Sequence, residues 1–212
     1  MRKSIKLLAE RKQEEMISLV KDILKERYIT FSLGENIQFD EREEISKLSY
    51  DVMLSDSSVL CLTSSGSGPV DAAFNALKQE YAQCHSIKDL TLLEFIINAD
   101  METEKKSTSS KVQTVLVVEN NTNKILAFRN TSRSILRSSI QVCIQAAEYF
   151  INCEEAIKVM FLSLNDARDR NRADLEQKYL SNLQNILRYV QATDLIEELK
   201  NKKKILVNCK DH

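Results

Sequence analysis

The sequence predicts an α+β fold in which two strand-strand-strand-helix (βββα) units form a sheet with helices on one face, between helical extensions at both ends. Three observations carry this expectation. Residues 48–52 (LSYDV) alternate apolar and polar, as a half-buried strand does. An apolar helical pattern follows each set of strand patterns, over residues 69–83 and 135–151. The chain runs through this cycle twice with a period of about 65 residues, too long for a solenoid. Two such units give an antiparallel sheet with helices packed against it.

The elements follow in order. Residues 4–27 read as a helix, because Met16, Leu19, Val20, Ile23 and Leu24 fall at i, i+3, i+4, i+7 and i+8 among charged residues. A β-rich stretch follows over 28–33, with Gly34 marking its exit and a charged segment, 40–44, before the next strand. Strand 48–52 turns at 55–58 (SDSS) and returns as strand 59–63. A glycine-rich stretch then opens helix 69–83. In the second cycle, strands 90–99 and 111–118 flank a polar stretch at 102–110. Residues 120–123 (NNTN) turn the chain into strand 124–128, and a polar loop, 129–134, leads into helix 135–151. After Asn152 the patterns are helical only. Tyr179, Leu183, Ile186, Leu187 and Val190 form one stripe, and Leu195, Ile196 and Leu199 a shorter one. The expected organisation is an N-terminal helix (1–27), a double βββα region (28–152) and a C-terminal helical extension (153–212).

Composition excludes several classes of function. With 43% hydrophobic residues, 212 residues are enough for a core. The net charge of −1, from 30 basic and 31 acidic side chains, gives no electrostatic reason to expect nucleic acid or an anionic membrane as partner. The run 112–118 is too short to span a bilayer, and Glu10, Glu14 and Glu15 leave no room for a signal-peptide core. A soluble, cytoplasmic chain is expected. Residues 200–204 read as a solvated helix end. Five cysteines without CxxC spacing predict neither a disulfide framework nor a zinc site, and the adjacent Cys84 and His85 do not aim at one metal. With only His85 and His212 available, histidine-based acid–base chemistry is poorly supplied. No cofactor, metal or catalytic residue is expected.

The stretch SSGSGPVDAAFNAL (64–77) stands apart. Three glycines and one proline make up the whole supply, and Gly66, Gly68 and Pro69 lie within four positions of one another. Proline suits the first turn of a helix, Ser67 or Gly68 the N-cap, and Asp71 the positive end of the helix dipole. The glycines are expected to supply positive φ and to let another group approach, either an anion on the free N–H groups or a second protein chain. Ala72, Ala73 and Ala76 thin the helix for a close neighbour.

The string from Gly66 to Phe74, followed by LTLLEFIINA (90–99), resembles the C-terminal regulatory, dimer-forming domain of the 2-isopropylmalate synthase family, which includes citramalate synthases. That domain carries G-x-G-P-V-D-A and then a strand patterned L-x-[DY]-[YF]-x-[VI], here Leu93 to Ile97. The resemblance spans 28–152. In its second half, the family's G-x-G-x-S-x-D-I-I-x-A-S is met by Ser132, Ile135 and Ser139. Phe128 and Asn130 stand for the two glycines and Ser134 for the acid. Asn130 tolerates left-handed geometry, whereas Phe128 fills space that glycine leaves open.

The resemblance implies a non-catalytic domain that forms a homodimer. It also implies binding of an end-product branched-chain amino acid, leucine or isoleucine. The family's condensation of acetyl-CoA with a 2-oxo acid belongs to a metal-dependent TIM barrel of ~250 residues, which this length does not accommodate, so a catalytic barrel would be a partner in cis or in trans. The effector residues it implies are Gly66, Gly68, Pro69, Val70 and Asp71 at the loop, with Leu92, Phe95 and Ala99 forming the pocket from the next strand. The alternative is a dimerisation or protein-interaction module that keeps the fold and has lost the ligand.

Overall fold

The computed structural model describes residues 2–42, 44–99, 111–120, 123–190 and 192–208. The polar stretch 102–110, part of the 120–123 turn, Cys209 and His212 therefore lie outside the described residues. In chain order the elements are α1 (Arg2–Leu24), a 3-10 turn (Lys25–Arg27), β1 (Phe31–Glu41), β2 (Ser46–Leu54), β3 (Val59–Gly66), α2 (Pro69–Glu80) and the short α3 (His85–Lys88). They continue as β4 (Thr91–Ala99), β5 (Val112–Glu119), β6 (Ile125–Ser132), α4 (Ile135–Asp169), α5 (Ala173–Leu187) and α6 (Thr193–Asn208). This is the α+β fold with two βββα units. Each set of strands forms its own three-stranded antiparallel sheet, in the orders β1-β2-β3 and β4-β5-β6.

The chain divides into two compact units. The first holds both sheets, α2 and α4 as far as Tyr149. Its central strands show why the sequence alternates. Leu48, Tyr50 and Val52 on β2 are at most 1% exposed and face α2. The Tyr50 hydroxyl donates to the Ala73 carbonyl at 2.9 Å, which fixes the helix over the strand. On β5, Thr114, Leu116 and Val118 are buried, and Thr114 Oγ1 donates to the Ser138 carbonyl of α4 at 3.1 Å. Each buried leucine or isoleucine in this core contributes roughly 1.5–3 kcal/mol. The first half of α4 also reaches β1. Glu148 accepts the Phe31 N–H at 3.0 Å, and Arg137 Nη2 donates to the Gly34 carbonyl at 3.0 Å.

The repeat is regular in its turns. At the first hairpin, Leu54 N–H bonds the Ser58 carbonyl and Ser57 N–H the Leu54 carbonyl; at the second, Asn120 N–H bonds Lys124 and Asn123 N–H bonds Asn120. Ser57 (φ 65°) and Asn123 (φ 56°) occupy the same left-handed position. Position 57 recurs at 123 and the helix start, 69, at 135, so from the second strand to the helix the two units are 66 residues apart.

Three sequence expectations change. Gly34 is not an exit but lies inside β1, at an irregularity between Leu33 and Ile37, where an added Cβ would come within 2.8 Å of Asp51 Cβ. The polar loop placed at 129–134 is mostly strand, because β6 continues to Ser132. Helix α4 does not stop near 151 but runs 35 residues to Asp169.

The second unit gathers α1, α3, α4 from Phe150 onward, α5 and α6. Its buried side chains include Val20, Ile87, Ile157, Ile186 and Leu195. Glu154, also buried, accepts the Ser86 N–H and the Cys84 thiol, each at 3.0 Å. Asn171 (φ 53°) ends α4, and the Arg172 N–H returns to the Ala167 carbonyl at 2.9 Å. Among the described residues, no helix is long and apolar enough to cross a membrane.

Candidate functional site

The β3–α2 junction is built from Gly66 to Ala72. Pro69 is the first helical residue and needs no N–H there. Gly68 is the N-cap, and its carbonyl accepts the first helical bond from the Ala72 N–H at 2.9 Å. Asp71, in the first turn, reaches back so that its Oδ2 accepts both the Ser67 N–H (2.9 Å) and the Ser67 hydroxyl (3.3 Å). A carboxylate here complements the positive end of the helix dipole. The N–H groups of Val70 and Asp71 precede the first intrahelical bond, and such groups suit an anion.

The glycines serve different purposes from those expected. Neither has a positive φ. Gly68 is extended (φ −172°), and an added Cβ would meet nothing within 4 Å. Gly66 is required by close approach alone. A Cβ there would lie 2.5 Å from the Ala72 nitrogen and 2.7 Å from Asp71 Oδ2. The helix start therefore sits directly on the end of β3. The thin face is also already in use, since Ala72, Ala73 and Ala76 are buried within their own chain.

At the matching β6–α4 junction, serines replace the glycines. Ser132 Oγ accepts the Ser134 N–H at 3.0 Å and donates to the Ser134 carbonyl at 2.8 Å. Ser134 Oγ accepts the Arg137 N–H at 3.3 Å as an N-cap. Ser138 donates to the Asn130 carbonyl at 3.1 Å. Asn130 lies in β6 opposite Thr114 and not in the left-handed region. Phe128 is buried, edge-on to Tyr149 with ring centroids 5.8 Å apart. Side chains close this junction, whereas the first is left open beside Gly68.

The strand residues singled out by sequence lie on β4, one of the two edge strands of the second sheet. Leu92 pairs with Val118, Phe95 with Leu116 and Ala99 with Val112. Three-residue spacing would set Leu92 and Phe95 on opposite faces, but an irregularity between Leu92 and Glu94 restores them to one. The structure thus joins Gly66, Gly68, Pro69, Val70 and Asp71 into one junction on the first sheet, and sets Leu92, Phe95 and Ala99 on an edge of the second. Sequence reading missed Ser67 as Asp71's partner; the signal was an acid at the third helical position, which commonly reaches back to the residues before a helix. Among the described residues no group of three or more His, Cys, Asp and Glu side chains could hold a metal ion. Burial pushes the Cys143 thiol up to about 12. Burial and the neighbouring Glu154 carboxylate do the same for Cys84, to about 12.

The chain thus combines two βββα units with an acid-capped helix start at the β3–α2 junction. The model of the LeuA allosteric (dimerisation) domain matches residues 10–151, and the chain belongs to that family. No curated protein matches it.

Proposed function

We propose that this domain senses an end-product branched-chain amino acid, leucine or isoleucine. In doing so it would control condensation of an acyl-CoA with a 2-oxo acid by a synthase barrel, joined to it in cis or acting in trans. The observation that carries the reading is the β3–α2 junction, where backbone N–H donors, an acid and an open space beside Gly68 converge. In this reading the N–H groups of Val70 and Asp71 hold the α-carboxylate, Asp71 faces the α-ammonium, and Leu92 and Phe95 offer apolar contact to the side chain. The active form is a homodimer, as suits a family of dimerisation domains, and a cytoplasmic location fits biosynthetic control. Calorimetric titration with leucine, isoleucine and valine tests it. Saturable binding of one of them, weakened roughly tenfold or more in Asp71→Asn, is expected, since a hydrogen bond to a charged group contributes about 1.5–3 kcal/mol. Absence of heat with all three overturns the sensor.

A second reading is a dimerisation module without a ligand. It is favoured by the β6–α4 junction, which Ser132, Ser134 and Ser138 close by hydrogen bonds and beside which Phe128 is buried. It predicts a dimer that none of the three amino acids shifts in thermal stability.

A further inference from the structure

Beyond the last residue that the family model matches, α4 and α5 meet at a corner that holds a cleft of about 330 Å³. Two helical stripes build it. Leu162, Asp166 and Arg170 recur at i, i+4 and i+8 along one face of α4 and its C-cap, and Leu175 and Tyr179 at i and i+4 on α5. Asn171, in the left-handed region, turns the chain between them, and Arg168 Nε braces the two helices by an ion pair to Glu176 Oε1 at 2.7 Å. Leu162, Leu175 and Tyr179 give the cleft apolar walls. Leu162 is 63% exposed, more than any other large apolar side chain among the described residues. An apolar group seated here would take that surface out of water.

The two guanidiniums that line the cleft differ. Arg172 gives Nε and Nη2 to the Asp174 carboxylate, at 3.0 and 2.9 Å. Arg170 gives Nε to Asp166 Oδ1 at 3.0 Å, and its Nη groups take no ion pair among the described residues. A guanidinium carries five donors in a rigid plane, so Arg170 keeps a fork that matches a carboxylate.

From this juxtaposition we infer that the α4–α5 cleft binds a small monocarboxylate with a compact apolar body. The Nη fork of Arg170 holds the carboxylate, and Leu162, Leu175 and Tyr179 cover the body. Size selects a small molecule, since the volume stands at the lower end of ligand pockets, about 300–1,000 Å³. Charge selects an anion, since two guanidiniums and one carboxylate line the cleft. One guanidinium with donors to spare selects a single carboxylate. Because the lining residues follow residue 151, the inference is independent of the sensor reading at the β3–α2 junction.

Methyl NMR on the full chain, titrated with 4-methylpentanoate, 4-methylpentanamide and 3-methylbutylamine, is the test. The acid is expected to shift the Leu162 and Leu175 methyls to saturation, with a dissociation constant of about 5 mM or tighter. The uncharged amide and the cationic amine should bind at least about fivefold more weakly, because the charge-assisted bond is lost. Arg170→Gln should weaken the acid by a similar factor. Arg42→Gln, which removes an exposed arginine of the first unit, should leave its binding unchanged. No saturation of these methyls by about 50 mM overturns the site. So does an amide or amine that binds as tightly as the acid, or an equal loss in the two arginine variants. Should circular dichroism show that Arg170→Gln alters the fold, Leu162→Gln decides. It leaves every charge in place, and acid binding as tight as in the wild type would then overturn the cleft.

Discussion

At the scale of single residues, Gly66 and Gly68 look alike in sequence and act differently. Gly66→Ala forces a Cβ to within 2.5 Å of a backbone nitrogen, and backbone cannot rotate away as a side chain can. Overpacking of this kind costs about 1–3 kcal/mol, so a clear drop in Tm is expected by calorimetry. Gly68→Ala meets open space in an extended conformation open to any residue. It should hold or raise stability by roughly 0.4–1 kcal/mol, because alanine narrows the unfolded ensemble. If it also abolishes amino-acid binding, the space beside Gly68 is where the ligand sits. The cluster of rare residues was legible in sequence as a special junction. Which physical need each glycine meets was not, because positive φ and close approach select the same residue. The cysteines give a parallel case: spacing excluded a disulfide framework, but only packing distinguishes exposed Cys61 from Cys84 and Cys143, whose thiols are pushed up to about 12. Alkylation near pH 8, read by peptide mass, should label Cys61 and spare the other two in the native protein.

At the scale of elements, strands with strict alternation and the one helix opened by proline, α2, are readable to within a few residues. The failures have local causes. The polar Arg129, Asn130 and Thr131 suggest a loop, yet these residues sit on an edge strand where polar side chains are at home. In α4, the polar Asn152 and Glu154 suggest a helix exit. They are buried instead, and Glu154 accepts hydrogen bonds from Ser86 and Cys84, partners remote in sequence. The start of α5 carries its own testable balance. Arg172 donates two hydrogen bonds to Asp174, and these hold the Asp174 carboxyl down at about 2. A carboxyl depressed in the folded state stabilises it at pH values above the unfolded carboxyl's value of about 3.9. That contribution fades as pH falls toward 2. Carboxyl NMR should therefore place the Asp174 midpoint near 2, and Arg172→Ala should move it upward. A midpoint in the ordinary range in the wild-type protein counts against the pair.

At the scale of the whole molecule, the 66-residue repeat carries two junctions of one design that differ in how they are filled. The first is left open beside Gly68, and side chains close the second. In the homodimer proposed above, one open junction per chain would give two equivalent ligand sites. Binding and dimerisation are then linked reciprocally: whatever factor dimerisation adds to ligand affinity, the ligand adds to dimer affinity. If the amino acid held at Gly66 to Asp71 binds the dimer more tightly than the monomer, it reports on the assembled state. Saturating leucine or isoleucine should then lower the dimer dissociation constant by about 5–150-fold, the usual range of allosteric coupling. Sedimentation across a dilution series, with and without ligand, measures this directly. A ligand that binds in calorimetry but leaves the dimer constant unmoved would show that sensing and assembly are separate in this chain. A dimer with no ligand at all would leave only the interaction module. The coupled outcome alone gives an effector on one subunit a physical route to a distant catalytic partner, since a ligand shifts an equilibrium only by as much as it prefers one state.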